Sequence, residues 1–519
     1  MGLRSAISRF LFGPPRREPQ PVGDAAPRVV IRGSYDAASV TGVNANHWAA
    51  ADALDADSAN SKAVRQRIAY RARYEVANNG QGKGVQLTQA NYVVGRGPKL
   101  RMQTGDAAFN TEVETEWTSW AKEAKLARQL RTMIKAKVGG GGEGFAIIAQ
   151  NPAMRHEVKL GLRGVECEQV TTPYLNPMTP NRIDGVEFDD FGNATSYDVL
   201  RYHPGGAWAY LRQDPDPIPA RFVLHLFRED RAGQHRGVDE LSASLNVFAQ
   251  SRRFKEATLT TAELIALLTV LLKTPMPPDG SADFALPMST LDLQKGTMTA
   301  LPSDTEPWQP DVKQPGPGYS EFTQQQDREQ ARPINMPRNI AAADSSGYSF
   351  SGGKLDHTTY FVSVDVEQSE IEEEVLDKLF QVWFAEANLR FGWGRPEYPL
   401  PAHTWDWPRK PVIDEAKTAT ARKTDLSTGA DDFVHVCTTD GVDAEERIAT
   451  MARTYGVTVE EMRAVLLKAH FGGGQGAAPE PDPQDPDQAD DAERQAANTN
   501  GRSRLPVGAG RNGNGRSRA

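Results

Sequence analysis

From Phe222 to Thr274 the chain reads FVLHLFREDRAGQHRGVDELSASLNVFAQSRRFKEATLTTAELIALLTVLLKT. A strand pattern gives way to a basic turn around Gly233, and then to one unbroken helical pattern. The spacing predicts a helix from about Asp239 to Lys273, roughly 50 Å long at about 1.5 Å per residue. Asp239 and Glu240 would sit in its first turn, where the macrodipole favours negative charge. Thr274-Pro275 and Pro277-Pro278 would end it. Arg252, Arg253 and Lys255 mark the N-terminal half. The C-terminal half is apolar nearly all round and must be buried, in a core or between subunits. With no nucleophile, metal cage or phosphate loop beside it, such a helix points to a mechanical or structural protein.

The rest of the chain sets bounds on that protein. At 519 residues it exceeds one ordinary core, so several domains or lobes are expected. A net charge of −9 argues against a tight clamp on DNA, because each phosphate contact made by a basic residue adds affinity through counterion release. Cys167 and Cys437 lie far apart with no CxxC partner and read as isolated thiols. The N-terminus MGLRSAISRFLFGPPRREP lacks the apolar core and cleavage site of a secretory signal, and Ala6 breaks the myristoylation pattern. The longest apolar run, Leu264 to Leu272, falls short of the about 20 residues a membrane span needs. A cytosolic protein with no membrane partner is expected.

Residues 1–45 read as a mobile arm. Helices are expected over 60–77, where Val64, Ile68 and Tyr70 to Tyr74 recur on one side and Asn78-Asn79-Gly80 form a left-handed stop. Others are expected over 110–124, where Trp117 and Trp120 share a core face, and over 126–138. Short strands follow: FAIIAQ, then Val165 to Val170, Ile183 to Phe188, Tyr197 to Tyr202 and Phe222 to Phe227. Residues 275–320 are irregular, and 319–331 form a short polar helix. Residues 339–353 read as a loop, and a second long helix spans 355–391 with Tyr360, Val364, Ile371, Val375, Leu379 and Trp383 inward. Its acidic run Glu370 to Glu374 reads as a solvated face. Three C-terminal helices cover 414–427, 444–455 and 458–468, and an acidic, then Arg-rich tail beyond Gly472 has the composition of disorder.

Sites for chemistry are sought and not found. Gly80-x-Gly82-x-Gly84 follows a helix rather than a strand, and Gly139 to Gly144 lacks the Lys-Ser or Lys-Thr of a phosphate loop. Both read as backbone turns or close packing. If the protein serves an ATP-driven process, another subunit consumes the ATP. Ser349 misses the nucleophile-elbow pattern because Ser351 stands where glycine is required. His156-Glu157 lacks a second histidine. Asp189-Asp190 and the pair Asp214 and Asp216 offer Mg²⁺ ligands for a nuclease, but lie in turns where aspartate is common for local reasons. No catalytic residue, metal or cofactor is expected.

Several blocks resemble, in the same order, those of lambda-type phage portal proteins. They are IAYRARYEVANNGQGKGVQLTQANYVVGRGPKLRM, WTSWAKEAKL, GGGGEGFAII, RIDGVEFDDFGNATSYDVLRYHPG, IPARFVLHLFREDRAGQHRGVDEL and WDWPRKPVIDEAKTATARKTDLSTGADDF, within about residues 45–465. Departures fall at Asn335 to Asn339 and after Tyr348, where Ser349-Phe350-Ser351-Gly352-Gly353-Lys354 replaces the family's pattern. The resemblance implies an α+β portal fold that assembles as a ring, a homododecamer. It comprises an α/β wing (46–236), a stem helix (237–274), a clip (275–318) and a second stem helix (319–335). A tunnel loop (336–354), a spine helix with its return to the wing (355–410), a helical crown (411–471) and a disordered tail (472–519) follow.

The implied function is a head-to-tail connector at the capsid vertex of a virion assembled in the host cytoplasm. Double-stranded DNA would pass through its channel during packaging and ejection. Implied partners are the terminase large subunit, the major capsid or scaffold protein and a head-completion adaptor. Asp344, Ser345, Ser346, Tyr348 and Ser349 would face DNA. Arg228, Arg231, His235, Arg236, Arg252 and Arg253 would meet a neighbouring subunit or DNA. The alternatives are an Mg²⁺-dependent nuclease and a capsid scaffold without a channel.

Overall fold

The computed structural model describes residues 46–172, 181–208, 214–267, 271–273, 306–308, 316, 318–396, 399–412, 415–440 and 442–471. The chain divides into a unit ending at Ala59 and a unit from Asn60 onward. Within the described part of the first, a turn leads to the short helix α1 (Ala56–Ala59).

The second unit opens with α2 (Lys62–Asn78) and α3 (Gly80–Val93). The expected left-handed stop is not there. Asn79 is extended at φ −125° and its side chain accepts the N–H of Gln81, so the paired asparagines start α3 rather than close α2 in the left-handed form. Gly82 lies inside α3, close to the Glu75 carbonyl and the Phe248 ring, at distances a Cβ would meet as ordinary contact. The orientation of α2 is a second correction. Arg65, Ala69, Ala72, Glu75 and Val76 are buried, while Val64, Tyr70 and Tyr74 face outward.

Strand β1 (Lys99–Met102) precedes α4 (Ala107–Glu123) and α5 (Leu126–Lys137). Trp117 and Trp120 are buried as their spacing requires, with ring centroids 5.0 Å apart, and Trp117 meets Trp383 edge-on at 5.1 Å. Strand β2 (Gly144–Gln150) then runs between β3 (Leu160–Val165) and β8 (Val223–Leu226), antiparallel to both. One face meets the main core and the other meets Val170, Val186, Tyr197 and Val199, which explains its continuous apolar run. A four-stranded meander comprises β4 (Arg182–Ile183), β5 (Val186–Phe188), β6 (Ala194–Val199) and β7 (Asp216–Pro219). Two expected strands are broken. Residues 167–169 form a helical turn, and Asp184-Gly185 at positive φ splits 183–188 into a hairpin.

The long helix is shorter than its pattern. A single turn at Ser242–Ser244 leads into α6 (Leu245–Leu267), 23 residues or about 35 Å. Asp239 and Glu240 are buried ahead of it rather than exposed in its first turn. Residues 271–273 form β9 (Leu271–Lys273), paired antiparallel with β10 (Glu306–Trp308). A run such as LLTVLLK has no polar face to distinguish strand from helix, so periodicity could not place the boundary. Most of 275–318 lies outside the described residues. Helix α7 (Tyr319–Ala331) returns beside α6, with Tyr319 and Phe322 against Phe254 at ring centroid distances of 5.6 and 4.6 Å. No helix among the described residues is long and apolar enough to cross a membrane.

A short helix α8 (Arg338–Ala341) carries four buried residues. The following helix α9 (Phe350–Ile371) begins earlier than its apolar pattern, because Ser349 caps it by accepting the N–H of Gly352 at 3.1 Å. A π-helical turn over Glu372–Leu376 connects it to α10 (Asp377–Phe391), which ends at Gly392 in the left-handed conformation. Tyr360, Val364, Ile371, Val375, Leu379 and Trp383 all point into the core as expected. Strand β11 (His403–Asp406) then pairs with β1, setting Trp405 opposite Leu100. The C-terminal helices are α11 (Glu415–Thr428), α12 (Phe433–Thr439), α13 (Ala444–Tyr455) and α14 (Val459–Phe471). Ile448, Ala452 and Met462 form a small separate core there, and α12 was not expected. The tail lies outside the described residues.

Candidate nucleic-acid interface

The exposed loop between α8 and α9 is 342–349, narrower than the expected 339–353. Ala343 and Gly347 turn it at positive φ. Asp344 organises it: one carboxylate oxygen accepts from Ser346 N–H (2.9 Å) and Ser346 Oγ–H (2.5 Å), and the other accepts from Arg338 Nη2 (2.7 Å). Those bonds from Ser346 first, then Arg338, hold the Asp344 carboxyl below its usual range. The Arg338 guanidinium also lies 6.0 Å from the Tyr348 ring centroid. Thus Asp344, Ser345, Ser346, Tyr348 and Ser349 do share one loop, but Asp344 is neutralised and Ser349 is spent on the helix cap. What the loop offers outward is Ser345, Ser346 and Gly347, with Tyr348 half-buried and the Asp344 carboxylate, paired with Arg338, still partly exposed.

The basic turn is only partly interior. Arg236, expected at a subunit interface or on DNA, is buried and uses all its donors within the chain. It forks onto Glu143 with two bonds of 2.7 Å, and reaches the carbonyls of Val170 (3.0 Å), Cys167 (3.2 Å) and Asp184. Burial would raise the Glu143 carboxyl, but Arg236 beside it holds it well below the usual carboxylate range. Arg228 joins Asp230 (2.8 Å), Glu240 (3.5 Å) and the Pro333 carbonyl (3.3 Å). His235 rests against the Phe188 ring at 4.4 Å. Arg231 is exposed. Further on, Arg252 pairs with Glu75 at 3.3 Å and covers Tyr74 at 5.0 Å, while Arg253 is exposed.

Two ionic features have no counterpart in the sequence pattern. The glycine loop 139–142 wraps the chain entering α6, and its N–H groups at Gly139 and Gly141 bind the Asp239 carboxylate. The loop therefore holds an anion, but one belonging to its own chain. Next to it, Lys137 Nζ meets Glu367 (2.5 Å), Glu370 (3.2 Å) and Glu240 (3.3 Å), with Arg228 behind Glu240. Burial first, only partly offset by Lys137, raises both Glu240 and Glu367. Lys137 stays an ammonium ion, because the three carboxylates around it outweigh its burial. Glu370 thus belongs to this cluster, not to a purely solvated run. The one sequence signal is a lysine two residues before a glycine run.

Asp216, expected in a turn, starts strand β7, and Asp189 and His156 serve local structure. Asp189 accepts the N–H groups of Phe191 (2.9 Å) and Asn193 (2.8 Å) and so shapes its own turn. His156 bridges Glu116 (3.1 Å) and the Val158 N–H (3.1 Å). Among the described residues, Glu166, Glu168 and His203 have the spacing of metal ligands. The Arg73 guanidinium already lies on Glu168 at 2.6 Å, where a cation would sit. Cys167 and Cys437 are free thiols.

The described residues form a mixed helix-and-sheet body whose buried charges tie its layers together and whose helices α6 and α7 pack side by side. The chain belongs to the lambda family of phage portal proteins, whose model matches residues 44–368. No curated protein matches. Among solved structures, the chain is similar to the neck of a native GTA particle computed with C12 symmetry, at 14% identity and TM-score 0.39. It is also similar to the virion of a native gene transfer agent particle, at 13% identity and TM-score 0.40. Each alignment covers 72% of this chain and 93% of the other.

Proposed function

We propose that the protein forms a ring of identical copies at a capsid vertex, with a channel for double-stranded DNA. The observation that carries this reading is the arm. Helices α6 and α7 run side by side, and between them in the chain β9 pairs with β10. Leu259, Leu264 and Phe322 on that arm are exposed in the single chain, as a surface covered by neighbours would be. In the mapping this supports, 46–236 is the wing, 237–274 and 319–335 the stem, 275–318 the clip, 336–354 the tunnel loop, 355–410 the spine and 411–471 the crown. Membership of the family supports a dodecameric ring that docks a terminase and later a head-completion protein, in a virion assembled in the host cytoplasm.

The charge distribution fits passage rather than grip. A duplex sliding through a ring must not be held by many phosphate contacts, since each would add counterion-release affinity. The loop at 342–349, which holds no basic residue and one paired carboxylate, meets that demand. Negative-stain images of the purified chain should show rings with an open centre, and solid or irregular particles would overturn the reading. Deleting Ala342 to Tyr348 should leave rings intact while impairing DNA packaging or retention. Normal packaging by that variant would remove the loop from the channel.

A further inference from the structure

Two helix faces in the described structure are exposed without an evident reason in the single chain. The outward side of α2 carries Val64, Arg67, Tyr70, Arg71 and Tyr74, at spacings of three and four. Its large apolar members are between 41% and 56% exposed. The outward side of α9 carries Leu355, Val362 and Val366, between 57% and 67% exposed, with Thr359 between them. About two turns further along, in the π-helical segment, the same face presents Glu373. Three large aliphatic side chains in line on one helix are more than the scattered apolar residues of an ordinary surface.

We infer that the α2 face of one copy docks on the α9 face of the next, with Arg67 and Arg71 toward Glu373 and the aromatic rings over Val362 and Val366. This deepens the ring reading and rests on it. The chemistry selects the partner. Pairing α2 with its own symmetry mate would set Arg67 and Arg71 against like charges, and pairing α9 with itself would leave Glu373 without a cation. Each face fits the other and not itself. Contact between two different faces is head-to-tail, the kind that closes into rings rather than twofold dimers. A basic, aromatic face could also attract nucleic acid, but that would leave the aliphatic line on α9 uncovered. Neither face takes part in the loop or the buried ion pairs, so both can be altered without touching them.

The test uses two full-length variants. Arg67→Glu with Arg71→Glu spoils the α2 face, and Val362→Asp with Val366→Asp spoils the α9 face. Each alone should sediment as a monomer, with circular dichroism and melting temperature close to wild type. Mixed, they should form one-to-one heterodimers that grow no further, because one good face of each kind remains. If both variants still form rings, the interface lies elsewhere and this inference falls while the ring reading stands. If the wild type itself never assembles at any concentration, the ring reading falls and takes this one with it. If the arginine variant assembles normally but loses binding to a short duplex by fluorescence anisotropy, α2 is a nucleic-acid face and the inference is overturned.

Discussion

The carboxylate of Asp239 accepts the backbone N–H of Gly141 at 2.9 Å, deep inside the glycine loop. Its other oxygen accepts from Gly139 (3.1 Å) and Leu241 (3.0 Å). A glycine run that resembles a phosphate cradle is therefore filled by the segment that leads into the arm helix. The loop fixes where α6 leaves the body, which is a mechanical task rather than a catalytic one.

Stability should depend on pH through that contact. Burial outweighs the three N–H donors and pushes the Asp239 carboxyl up to about 6. An unfolded aspartate titrates at about 3.9. Because the folded value is the higher one, the folded state takes up the proton first, and stability is gained as pH falls from 7 through 6 toward 4. The gain amounts to roughly 3 kcal/mol, since each pH unit between the folded and unfolded values is worth about 1.4 kcal/mol. Asp239→Asn cannot titrate. Wild type measured against it by urea denaturation at pH 7, 6, 5 and 4 should gain stability in that order, and a constant difference would count against the buried anion.

Two glycines should respond oppositely to alanine. A Cβ on Gly142 would lie 2.3 Å from the Val238 carbonyl carbon, at a φ of +93° that side chains rarely adopt. Gly142→Ala should cost about 4 kcal/mol or more, which is the exceptional range for single changes, and is expected to give insoluble protein. Gly84 is inside α3 with the Ala341 carbonyl 3.9 Å from the added atom, an ordinary contact. Gly84→Ala should raise the melting temperature by the equivalent of up to about 1 kcal/mol.

How much of this was legible varies with the length scale of the cause. Trp117, Trp120 and Trp383 announce their burial through helical spacing, and Tyr319–Ala331 and Ala444–Tyr455 follow from local pattern alone. The Lys137 and Glu367 contact joins groups far apart in sequence, and no local pattern carries such information. Arg236 looks like part of a surface patch because its neighbours Arg228 and Arg231 are basic. Its burial follows from Glu143 and from three carbonyls that sequence cannot locate. The facing of α2 runs against its pattern because apolar residues on a helix usually point inward, whereas Tyr70 and Tyr74 point out. In the candidate loop, membership was legible, but the pairing of its carboxylate was not, since that depends on Arg338 folding back over Asp344.

Removing Arg236 should be costly in a way a partner mutation cannot repair. Breaking a buried pair by deleting one member typically costs about 3–5 kcal/mol. Arg236→Lys offers three donors in place of five and cannot reach Glu143 and the Cys167, Val170 and Asp184 carbonyls together. Arg236→Met combined with Glu143→Leu would relieve a simple ion pair. Here it should stay destabilised, because the three carbonyls and the Gly237 N–H lose their partners as well. Chemical denaturation of the single and double variants checks this, and recovery of the double variant to wild-type stability would show the carbonyl contacts to be unimportant.

The pairing of Arg338 with Asp344 bears on DNA passage under the proposed function. Asp344 cancels a guanidinium that would otherwise face the loop at 2.7 Å, and a ring repeats that cancellation in every copy. Asp344→Asn should leave one unpaired positive charge per subunit, on a guanidinium that is only 6% exposed, at some cost in stability. Affinity of the assembled protein for a short duplex should then rise and fall more steeply with salt, since the slope reports the number of phosphates neutralised. Adding Arg338→Gln to Asp344→Asn should return the slope to that of wild type, which separates charge from loop geometry. The readout is binding anisotropy across a salt series, with packaged DNA length as the functional counterpart. If Asp344→Asn leaves the salt slope where it was, the loop does not approach the duplex closely enough for its charge to matter.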